Sequence, residues 1–456
     1  MVVPIPDLDV EVLGELGYDV VEELPGYEQP GLQTRPPWRL YSRGYKPTQA
    51  RPPEGKSFLF HLRRFPRRCN VQAPTLNFKP IVAELLGEAA FVYIAKAREL
   101  ERAGHRVISF GVGQPDIPTF QHIVEAAKRS LDEKFTGYTE TPGIGELREA
   151  IVEYLNGRYG ADVKPSEVIV TPGAKGAIFL ALAAYLSPGD EVIVPEPSYP
   201  AYPEVARFLG ARPIYVPLKW LGPSGGFVLD VEAIEAAITP RTKAIVVNNP
   251  HNPTGALFTP SQVDRIYEIA RERRLMLLVD EIYDNFIYDN QPFKSFLTFG
   301  DWRDYLLYVN GFSKTFSMTG WRLGYLVVRE EVATKLTRLA VNVWSCPVSF
   351  AQKAAIEAIR GPWEPVREMI RLFQQRRDLI VRKLREVRGF EVWPSTGAFY
   401  VFPRVGRVLE EVGISVEEFV ERLLYSKHVV TLPGTVFPDK AGREFIRLSF
   451  AVDSKL

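Results

Sequence analysis

The feature that most constrains the fold of this chain is an alternation of short apolar runs with longer helical patterns between residues 107 and 328. The apolar runs have the length and the β-branched content of buried strands, and helical apolar spacing fills the segments between them. The predicted strands cover residues 107–112, 167–171, 191–195, 243–247, 275–280, 305–310 and 323–328. Helices are predicted at residues 83–104, 121–134, 145–159, 176–186 and 261–274. This order predicts an α/β domain around a mostly parallel, buried sheet.

The pattern changes after about residue 330, where a long helical region follows the last of these strands. Residues 366–387 are strongly helical, and apolar runs at residues 399–402 and 445–450 are predicted to be strands. Helices and strands that no longer alternate predict a second, smaller α+β domain. Because 456 residues exceed what one hydrophobic core usually supports, more than one domain is expected.

The charge and cysteine content exclude several classes of protein. The 56 lysines and arginines nearly equal the 55 aspartates and glutamates, so the chain as a whole is not a polycation built to bind nucleic acid. Its apolar runs are far shorter than the ~20 residues that a membrane-spanning helix needs. Two cysteines cannot form a disulfide framework, and the first residues lack the pattern of a signal peptide. We therefore expect a cytoplasmic protein with no membrane or nucleic-acid partner.

Residues 1–78 differ in composition from the rest of the chain. Residues 1–28 contain eight acidic residues and no lysine or arginine, whereas residues 35–68 contain ten basic residues and one acid, Glu54. The first 80 residues hold 12 of the 37 prolines and no long periodic element. This composition predicts an irregular or disordered extension. A solvated tail, a basic arm for nucleic acid or an acidic partner, and an upstream region included by an incorrectly assigned start are all open explanations.

Polar or glycine-containing turns follow four of the predicted strands, at the places where open α/β sheets bind ligands. Residues 172–175 (Pro-Gly-Ala-Lys) open a helix, where backbone N–H groups could cradle a phosphate. An Asn- and Pro-rich turn follows residues 243–247, Asp280 ends the next strand, and Lys314 follows residues 305–310. Taken singly, each has an ordinary explanation as a turn, a strand-end carboxylate or a surface lysine. A single ligand site would account for all four.

Three segments at these strand ends carry a resemblance to a known family. They are NNPHNPTG (residues 248–255), VDEIYDNFIY (279–288) and NGFSKTFSMTGWRLGY (310–325). The order and spacing of these segments resemble those of the class I, fold type I aminotransferases that depend on pyridoxal phosphate. The resemblance covers about residues 78–454. It is most similar to the prokaryotic and archaeal branch of aspartate and aromatic aminotransferases, through GVGQPDIPT, GYTETPG, CPVSFAQ, GAFYVFPR and RLSFA.

The resemblance implies roles around the reactive part of the cofactor. Lys314 is expected to form the Schiff base with pyridoxal phosphate, which needs a primary amine, and to act as the general acid/base. Asp280 is expected to pair with the protonated pyridine nitrogen. Tyr283 and Asn252 are expected to hydrogen-bond the phenolic oxygen, and Tyr199 to stack on the ring.

The resemblance also implies how the phosphate is held. The phosphate carries two negative charges, so it is expected to meet cations and N–H donors. The expected ligands are the side chains of Ser313 and Arg322 and the helix start at Gly173, Ala174 and Lys175.

The substrate and a second subunit are implied by residues elsewhere in the chain. Arg447 matches the arginine that grips the substrate α-carboxylate, for which a planar guanidinium is well suited. Gly113 and Asn252 are expected to line the substrate pocket. Tyr138 is expected to reach the phosphate of the other subunit, so the resemblance implies a homodimer with shared active sites.

By this resemblance the chain divides into four parts. Residues 1–78 form the extension, residues 79–120 an N-terminal arm and part of the small domain, residues 121–345 the large cofactor-binding domain, and residues 346–456 the small domain. The chain is expected to lack the family's last helix, which usually follows the RLSFA strand. The terminal Ser-Lys-Leu matches a peroxisomal address, although the same place in related chains is the start of that helix.

The leading functional hypothesis is an aminotransferase with a ping-pong mechanism. It would move the amino group of an L-amino acid of the aspartate, aromatic or alanine type to a 2-oxo acid such as 2-oxoglutarate. A lyase with the same fold and cofactor is an alternative that the sequence hardly separates. A transcription regulator with an aminotransferase-like domain is another, but the prolines of the basic stretch argue against the helices of a DNA-binding module. The five histidines show no metal-ligand spacing, so no metal is predicted.

Overall fold

The computed structural model describes residues 79–85, 87, 89–438 and 441–453, together with the backbone of residues 18–21 and 39–42. The chain forms two compact units, Met1–Thr75 and Leu76–Leu456. In the first unit, β1 (Tyr18–Val21) pairs antiparallel with β2 (Arg39–Ser42). The remainder of the predicted extension and the terminal Ser-Lys-Leu lie outside the described residues.

The second unit contains most of the helices and strands that the sequence pattern predicted, and several more. Its α-helices are α1 (Pro80–Glu84), α2 (Ala89–Arg102), α3 (Gln121–Asp132), α4 (Gly145–Tyr159), α5 (Gly173–Tyr185), α6 (Ala201–Phe208), α7 (Gly222–Gly225), α8 (Val231–Ala236), α9 (Pro260–Arg273), α10 (Trp302–Tyr305), α11 (Glu330–Trp344), α12 (Ser349–Arg360), α13 (Glu364–Arg385), α14 (Gly406–Val412) and α15 (Val416–Lys427). Its strands are β3 (Ile108–Ser109), β4 (Val168–Pro172), β5 (Glu191–Glu196), β6 (Arg212–Pro217), β7 (Lys219–Trp220), β8 (Phe227–Val228), β9 (Thr242–Asn248), β10 (Met276–Asp280), β11 (Leu306–Gly311), β12 (Leu323–Val327), β13 (Tyr400–Val401), β14 (Val429–Val430), β15 (Leu432–Pro433) and β16 (Ile446–Ser449).

A seven-stranded sheet in the order β4-β12-β11-β10-β9-β5-β6 forms the centre of the large domain. Strand β12 runs antiparallel to its neighbours β11 and β4, and the other pairings are parallel. Successive side chains of a strand point to opposite faces, so Leu277 and Val279 join one hydrophobic core while Leu278 joins another. The prediction of an α/β fold with a large, mostly parallel sheet is confirmed.

A strong capping signal in the sequence sets the start of one of these helices. Helix α9 begins after Thr259, whose hydroxyl accepts a hydrogen bond from the backbone N–H of Gln262. The side chain of Gln262 in turn accepts from the backbone N–H of Thr259, and Pro260 occupies the first helical position. This capping box satisfies backbone donors that the first turn leaves unpaired, so the helix starts where the sequence predicts.

The functional edge of the sheet lies at the carboxyl ends of β9, β10 and β11. Asp280, the last residue of β10, is in register with Asn248 at the end of β9 and with Val309 of β11. The turns that follow these parallel strands therefore emerge side by side. Open α/β sheets bind ligands at this kind of edge.

The smaller domain contributes a three-stranded antiparallel sheet in the order β13-β16-β15. Tyr400 of β13 lies opposite Ser449 of β16, and Leu432 of β15 lies opposite Arg447. Strand β3, from the segment expected to form the N-terminal arm, pairs in parallel with β14. In the described part of the chain, no helix has the length and apolar content needed to cross a membrane.

Two predicted elements differ from the observed ones. The helix expected at residues 83–104 is divided into α1 and α2, because the backbone at Leu85 is extended. The strand expected at residues 107–112 pairs over only two residues. The carbonyl of Gly111 accepts a hydrogen bond from Arg447, and that of Gly113 accepts one from Lys314. Hydrogen bonds from the side chains of Arg447 and Lys314 therefore take the place of pairing with a neighbouring strand.

A buried carboxyl group, Glu281, makes the stability of the fold depend on pH. It accepts hydrogen bonds from Ser295 Oγ at 2.6 Å and from the backbone N–H of Phe296 at 3.0 Å. Burial raises the pKa of Glu281 to about 8, so between about pH 4.5 and 8 the folded state holds a proton that the unfolded state releases.

We expect the free energy of unfolding to fall as pH rises through this window, because the folded state binds the proton more tightly. The substitution Glu281→Gln removes the titrating group. Relative to the parent, the variant should gain stability on going from pH 5 to pH 8, by on the order of a few kcal/mol. Urea unfolding of both proteins at the two pH values measures this, and parallel stability curves would show that Glu281 is ionised in the folded protein.

Candidate active site

A cavity of about 510 Å³ opens at the carboxyl ends of β9, β10 and β11. Its walls come from the turns after these strands, from the start of α5, from α2, and from the smaller domain. Of the predicted site residues, those that line it are Gly113, Ala174, Lys175, Tyr199, Asn252, Asp280, Tyr283, Ser313, Lys314, Arg322 and Arg447. The strand-end argument and the resemblance thus identify residues that the fold brings together.

Lys314 presents its amine to this cavity from the turn after β11. The Nζ atom donates a hydrogen bond to the carbonyl of Gly113 at 2.5 Å. It also lies 5.8 Å from the ring centroid of Tyr283 and 5.6 Å from that of Phe399. These contacts hold a primary amine in a defined place, beside two aromatic rings.

Asp280 is buried at the end of β10 and has well-defined hydrogen-bond partners. Its Oδ2 accepts from the hydroxyl of Tyr202 at 2.8 Å, and its Oδ1 accepts from the backbone N–H of Ile282 at 3.1 Å. Burial raises the pKa of this carboxyl to about 6, although both hydrogen bonds and the charge of Lys314 oppose the rise. A cationic group placed against Asp280 would stabilise the ionised form.

The Asn-rich turn after β9 is tied to the same strand end. The side-chain N–H of Asn248 donates to the carbonyl of Asp280 at 2.9 Å. Its side-chain oxygen accepts from the backbone N–H of Asn252 at 2.8 Å. This pair of bonds fixes Asn252 at the cavity wall.

Positive charge and N–H groups gather where α5 begins. A Cβ atom at Gly173, which has a φ of +75°, would overlap the guanidinium of Arg322. Arg322 Nη1 donates to the carbonyl of Thr319 at 2.9 Å, which holds the guanidinium beside the first turn of the helix. The hydroxyl-bearing Ser313 also lines the cavity. An arginine, a hydroxyl and a helix N-terminus together suit a phosphate.

Arg447 is buried at the cavity wall, on β16 of the smaller domain. Its Nη1 donates to the side-chain oxygen of Asn252 at 3.2 Å, and its Nη2 donates to the carbonyl of Gly111 at 2.7 Å. The guanidinium carbon lies 4.5 Å from the ring centroid of Tyr400 and 4.9 Å from that of Phe437. A buried, oriented guanidinium of this kind suits a carboxylate ligand.

Tyr199 and Lys175 form a further part of the wall. The amine of Lys175 lies 5.8 Å from the ring centroid of Tyr199. Tyr199 meets Tyr202 edge to face, with ring centroids 5.6 Å apart. The ring of Tyr199 is therefore held at the cavity by an aromatic neighbour that itself binds Asp280.

Two predicted site residues do not line the cavity. Gly173 is not a lining residue, but its lack of a side chain makes room for Arg322. Tyr138 is 93% exposed, and the cavity of its own subunit does not include it. Among the residues that the structure describes, no group of three or more His, Cys, Asp or Glu could hold a metal ion.

Among the cavity residues that were not singled out from the sequence, Asn248, Tyr202 and Tyr400 hydrogen-bond predicted site residues through their side chains. Asn248 ends its strand just as Asp280 does, so the strand-end rule could have found it. Tyr202 lies three positions after Tyr199, and Tyr400 lies in the segment GAFYVFPR, which carries part of the resemblance. Nothing in their spacing indicates that their hydroxyl groups meet Asp280 and Tyr283.

Comparisons with known proteins find matches over most of the chain. The family model described as "Aminotransferase class I and II" matches residues 105–456. An aspartate aminotransferase of Sulfurisphaera tokodaii is 50% identical over 380 residues, which are 83% of this chain and 94% of the relative. The structure of an aromatic aminotransferase from Pyrococcus horikoshii has a TM-score of 0.73 and 35% identity, and covers 79% of this chain and 95% of that one. An alanine aminotransferase from Pyrococcus furiosus has a TM-score of 0.76 and 34% identity, with 82% and 95% covered.

Proposed function

The chain belongs to the class I and II aminotransferases, and we propose that it transfers the amino group of an L-amino acid to a 2-oxo acid with pyridoxal phosphate bound in the cavity at the ends of β9, β10 and β11. The observation that carries the proposal is the convergence of three groups in that cavity. They are the amine of Lys314, the buried carboxylate of Asp280 and the buried guanidinium of Arg447. Amino transfer needs a group of each kind.

The cavity residues suit the parts of pyridoxal phosphate. Its phosphate would meet Arg322, Ser313 and the first turn of α5, where the missing side chain of Gly173 leaves room for the guanidinium. Burial disfavours an unpaired negative charge on Asp280. The protonated pyridine nitrogen of the cofactor would be the cation that stabilises this charge. When bound, the cofactor supplies an aldehyde that takes up amino groups and a ring that withdraws electrons.

The side chains of this chain perform the remaining tasks. Nζ of Lys314 would hold the cofactor covalently at its aldehyde carbon, with release of water, and the same amine in its free form would be the general base for the proton at the substrate α-carbon. Arg447 would bind the substrate α-carboxylate and so hold the α-carbon near that amine. Tyr283 and Asn252 would hydrogen-bond the phenolic oxygen of the cofactor, and Tyr199 would pack on its ring.

The proposed donors are amino acids of the aspartate, aromatic or alanine type, with 2-oxoglutarate as an acceptor. The three relatives described above carry these three names. The cavity wall contains apolar side chains of α2, Phe91 and Ile94, as well as the cation Lys175. It therefore offers contacts for both apolar and acidic substrate side chains.

Initial-rate kinetics test the proposed reaction. With cofactor-loaded enzyme, varying the amino donor at several fixed 2-oxoglutarate concentrations should give the parallel double-reciprocal lines of a ping-pong mechanism. A screen of twenty amino donors identifies the preferred one. Release of ammonia and pyruvate from a cysteine-type substrate, with no need for a 2-oxo acid, would instead indicate a lyase and contradict the proposal.

Weaker cofactor binding is expected when Gly173 gains a side chain. The substitution Gly173→Ala places a Cβ against the guanidinium of Arg322 and strains a residue with positive φ. We expect the dissociation constant of pyridoxal phosphate to rise on the order of tenfold, which corresponds to about 1.4 kcal/mol. Titration of cofactor-free protein by absorbance measures it.

The matched control for that prediction is Gly157→Ala, in helix α4. A Cβ at Gly157 meets no atom within 4 Å among the described residues, and its φ is negative. Cofactor affinity should therefore equal that of the parent. Equal affinity of Gly173→Ala and the parent would show that the start of α5 is not the phosphate site.

A homodimer with shared sites is part of the proposal, supported by the exposure of Tyr138 and its absence from the cavity of its own subunit. Hybrid dimers of Tyr138→Ala and Lys314→Ala subunits contain one site with both residues intact. At limiting cofactor, such hybrids should be more active than either variant alone. A monomeric mass in light scattering, or hybrids no better than the average of the two variants, would contradict shared sites.

The expected cytoplasmic location stays a prediction.

A further inference from the structure

Tyr400 joins residues of the two domains at the candidate site. It lies on β13, opposite Ser449 of β16 and thus near Arg447 on the same strand. Its side chain is buried, and its hydroxyl lies 2.8 Å from that of Tyr283, which follows β10 of the large sheet. A hydrogen bond therefore connects the smaller domain directly to a residue expected at the cofactor.

The ring of Tyr400 has separate contacts of its own. The guanidinium carbon of Arg447 lies 4.5 Å from its centroid, within the range of a cation–π interaction. A Cβ at Gly113 would come within 2.5 Å of the Tyr400 hydroxyl oxygen, so the side chain packs directly on that backbone. The carbonyl of Gly113 is the acceptor for Lys314. Tyr400 thus touches three of the predicted site residues, Tyr283, Arg447 and Gly113.

The direction of the hydrogen bond between the hydroxyl groups of Tyr283 and Tyr400 follows from the single proton that each phenol can donate. Burial raises the pKa of Tyr283 well above its ordinary value, so the phenol keeps its proton at neutral pH despite the nearby charge of Arg447. Two other titratable groups lie near Tyr283. The amine of Lys314 is 5.8 Å from the ring centroid of Tyr283, and the carboxyl group of Asp280 is also close. Each phenol has one proton to donate. If Tyr283 donates to a cofactor oxygen, its own oxygen must accept from Tyr400.

We propose that Tyr400 is a positioning residue whose hydroxyl donates to Tyr283 and strengthens the hydrogen bond that Tyr283 gives to the phenolic oxygen of the cofactor, while its ring supports Arg447 for substrate binding. This inference rests on the proposed function. Hydrogen bonds in a chain polarise one another, so a phenol that accepts a bond is the better donor. The hydroxyl and the ring therefore have separable effects, one on the cofactor and one on the substrate.

The test compares Tyr400→Phe and Tyr400→Leu, each loaded with pyridoxal phosphate. In Tyr400→Phe the ring stays, so KM for the amino donor should remain within about twofold of the parent. The weaker donor at the phenolic oxygen moves proton release from the bound cofactor to higher pH. The midpoint of its visible absorbance titration, recorded without substrate, should rise by about half to one pH unit. In Tyr400→Leu, KM should also rise, by roughly three- to tenfold.

The matched control is Tyr288→Phe. Tyr288 is as buried as Tyr400, and its hydroxyl donates to the carbonyl of Ala398 at 2.6 Å, but it does not line the cavity. Its loss should leave the absorbance midpoint unchanged. An unshifted midpoint in Tyr400→Phe, or an equal shift in Tyr288→Phe, would overturn the inference. A parent protein with no visible band on addition of pyridoxal phosphate would overturn the proposed function itself, and this inference with it.

Discussion

Replacing Lys314 by alanine is expected to lower the turnover number for amino transfer on the order of 10⁴-fold, the largest effect of any single change in the site. The substitution removes the amine that is proposed to attach to the cofactor and to move the proton at the substrate α-carbon. The neighbouring contacts of that amine, with the carbonyl of Gly113 and the rings of Tyr283 and Phe399, do not supply a replacement base. Steady-state kinetics with saturating cofactor measure the loss.

The control for this variant is Lys353→Ala, because Lys353 forms a surface ion pair with Glu146 and lies outside the cavity. Its turnover should equal that of the parent. A small primary amine added to Lys314→Ala should restore part of the activity in proportion to its concentration, since it can supply the missing base. Parent-like turnover of Lys314→Ala would refute the assignment of this residue.

The second large effect is expected at Asp280. Asp280→Asn keeps the size of the side chain but removes the charge proposed to pair with the pyridine nitrogen. Truncating one partner of a buried charge pair costs about 2–5 kcal/mol, so turnover should fall roughly 30- to 5,000-fold. Tyr202→Phe keeps the carboxylate and removes only its 2.8 Å hydrogen bond, and should cost about tenfold or less.

The same carboxylate predicts how cofactor binding depends on pH. Burial raises the pKa of Asp280 to about 6 in the cofactor-free protein, so the group gains a proton as pH falls below that value. Since the neutral acid cannot pair with a cation, the affinity of the parent for pyridoxal phosphate should fall between pH 7 and pH 5. The affinity of Asp280→Asn should fall less over this range. Curves of equal slope for both proteins would contradict the pairing.

The part of the site that could be predicted from sequence is the part that parallel strands deliver to one edge. Asp280 and Lys314 each end or closely follow an apolar run, and Asn252 lies in the turn after another. Because β9, β10 and β11 are neighbouring parallel strands, their ends necessarily meet. The order of strands and polar turns along the chain is therefore what predicts that these three residues lie close together.

The residues that sequence reasoning missed depend on contacts between distant segments. Tyr202 meets Asp280 across 78 positions of the chain, and Tyr400 meets Tyr283 across 117. An aromatic residue in an apolar segment is most often a packing residue, and no local pattern reveals where its hydroxyl points. Arg447, on an antiparallel strand of the other domain, was identified only by the resemblance. Strand β6 was missed because its second and last residues, Pro213 and Pro217, are prolines, which are rare inside strands.

The central claim is that Lys314 is the residue that binds pyridoxal phosphate covalently, and one measurement tests it most directly. Reduction of the cofactor-loaded protein with borohydride makes such a linkage permanent, and peptide mass spectrometry then locates the modified lysine. The label is predicted on Lys314, and Lys314→Ala should carry none. A label on Lys175, which also lines the cavity, with Lys314 unmodified, would contradict the account.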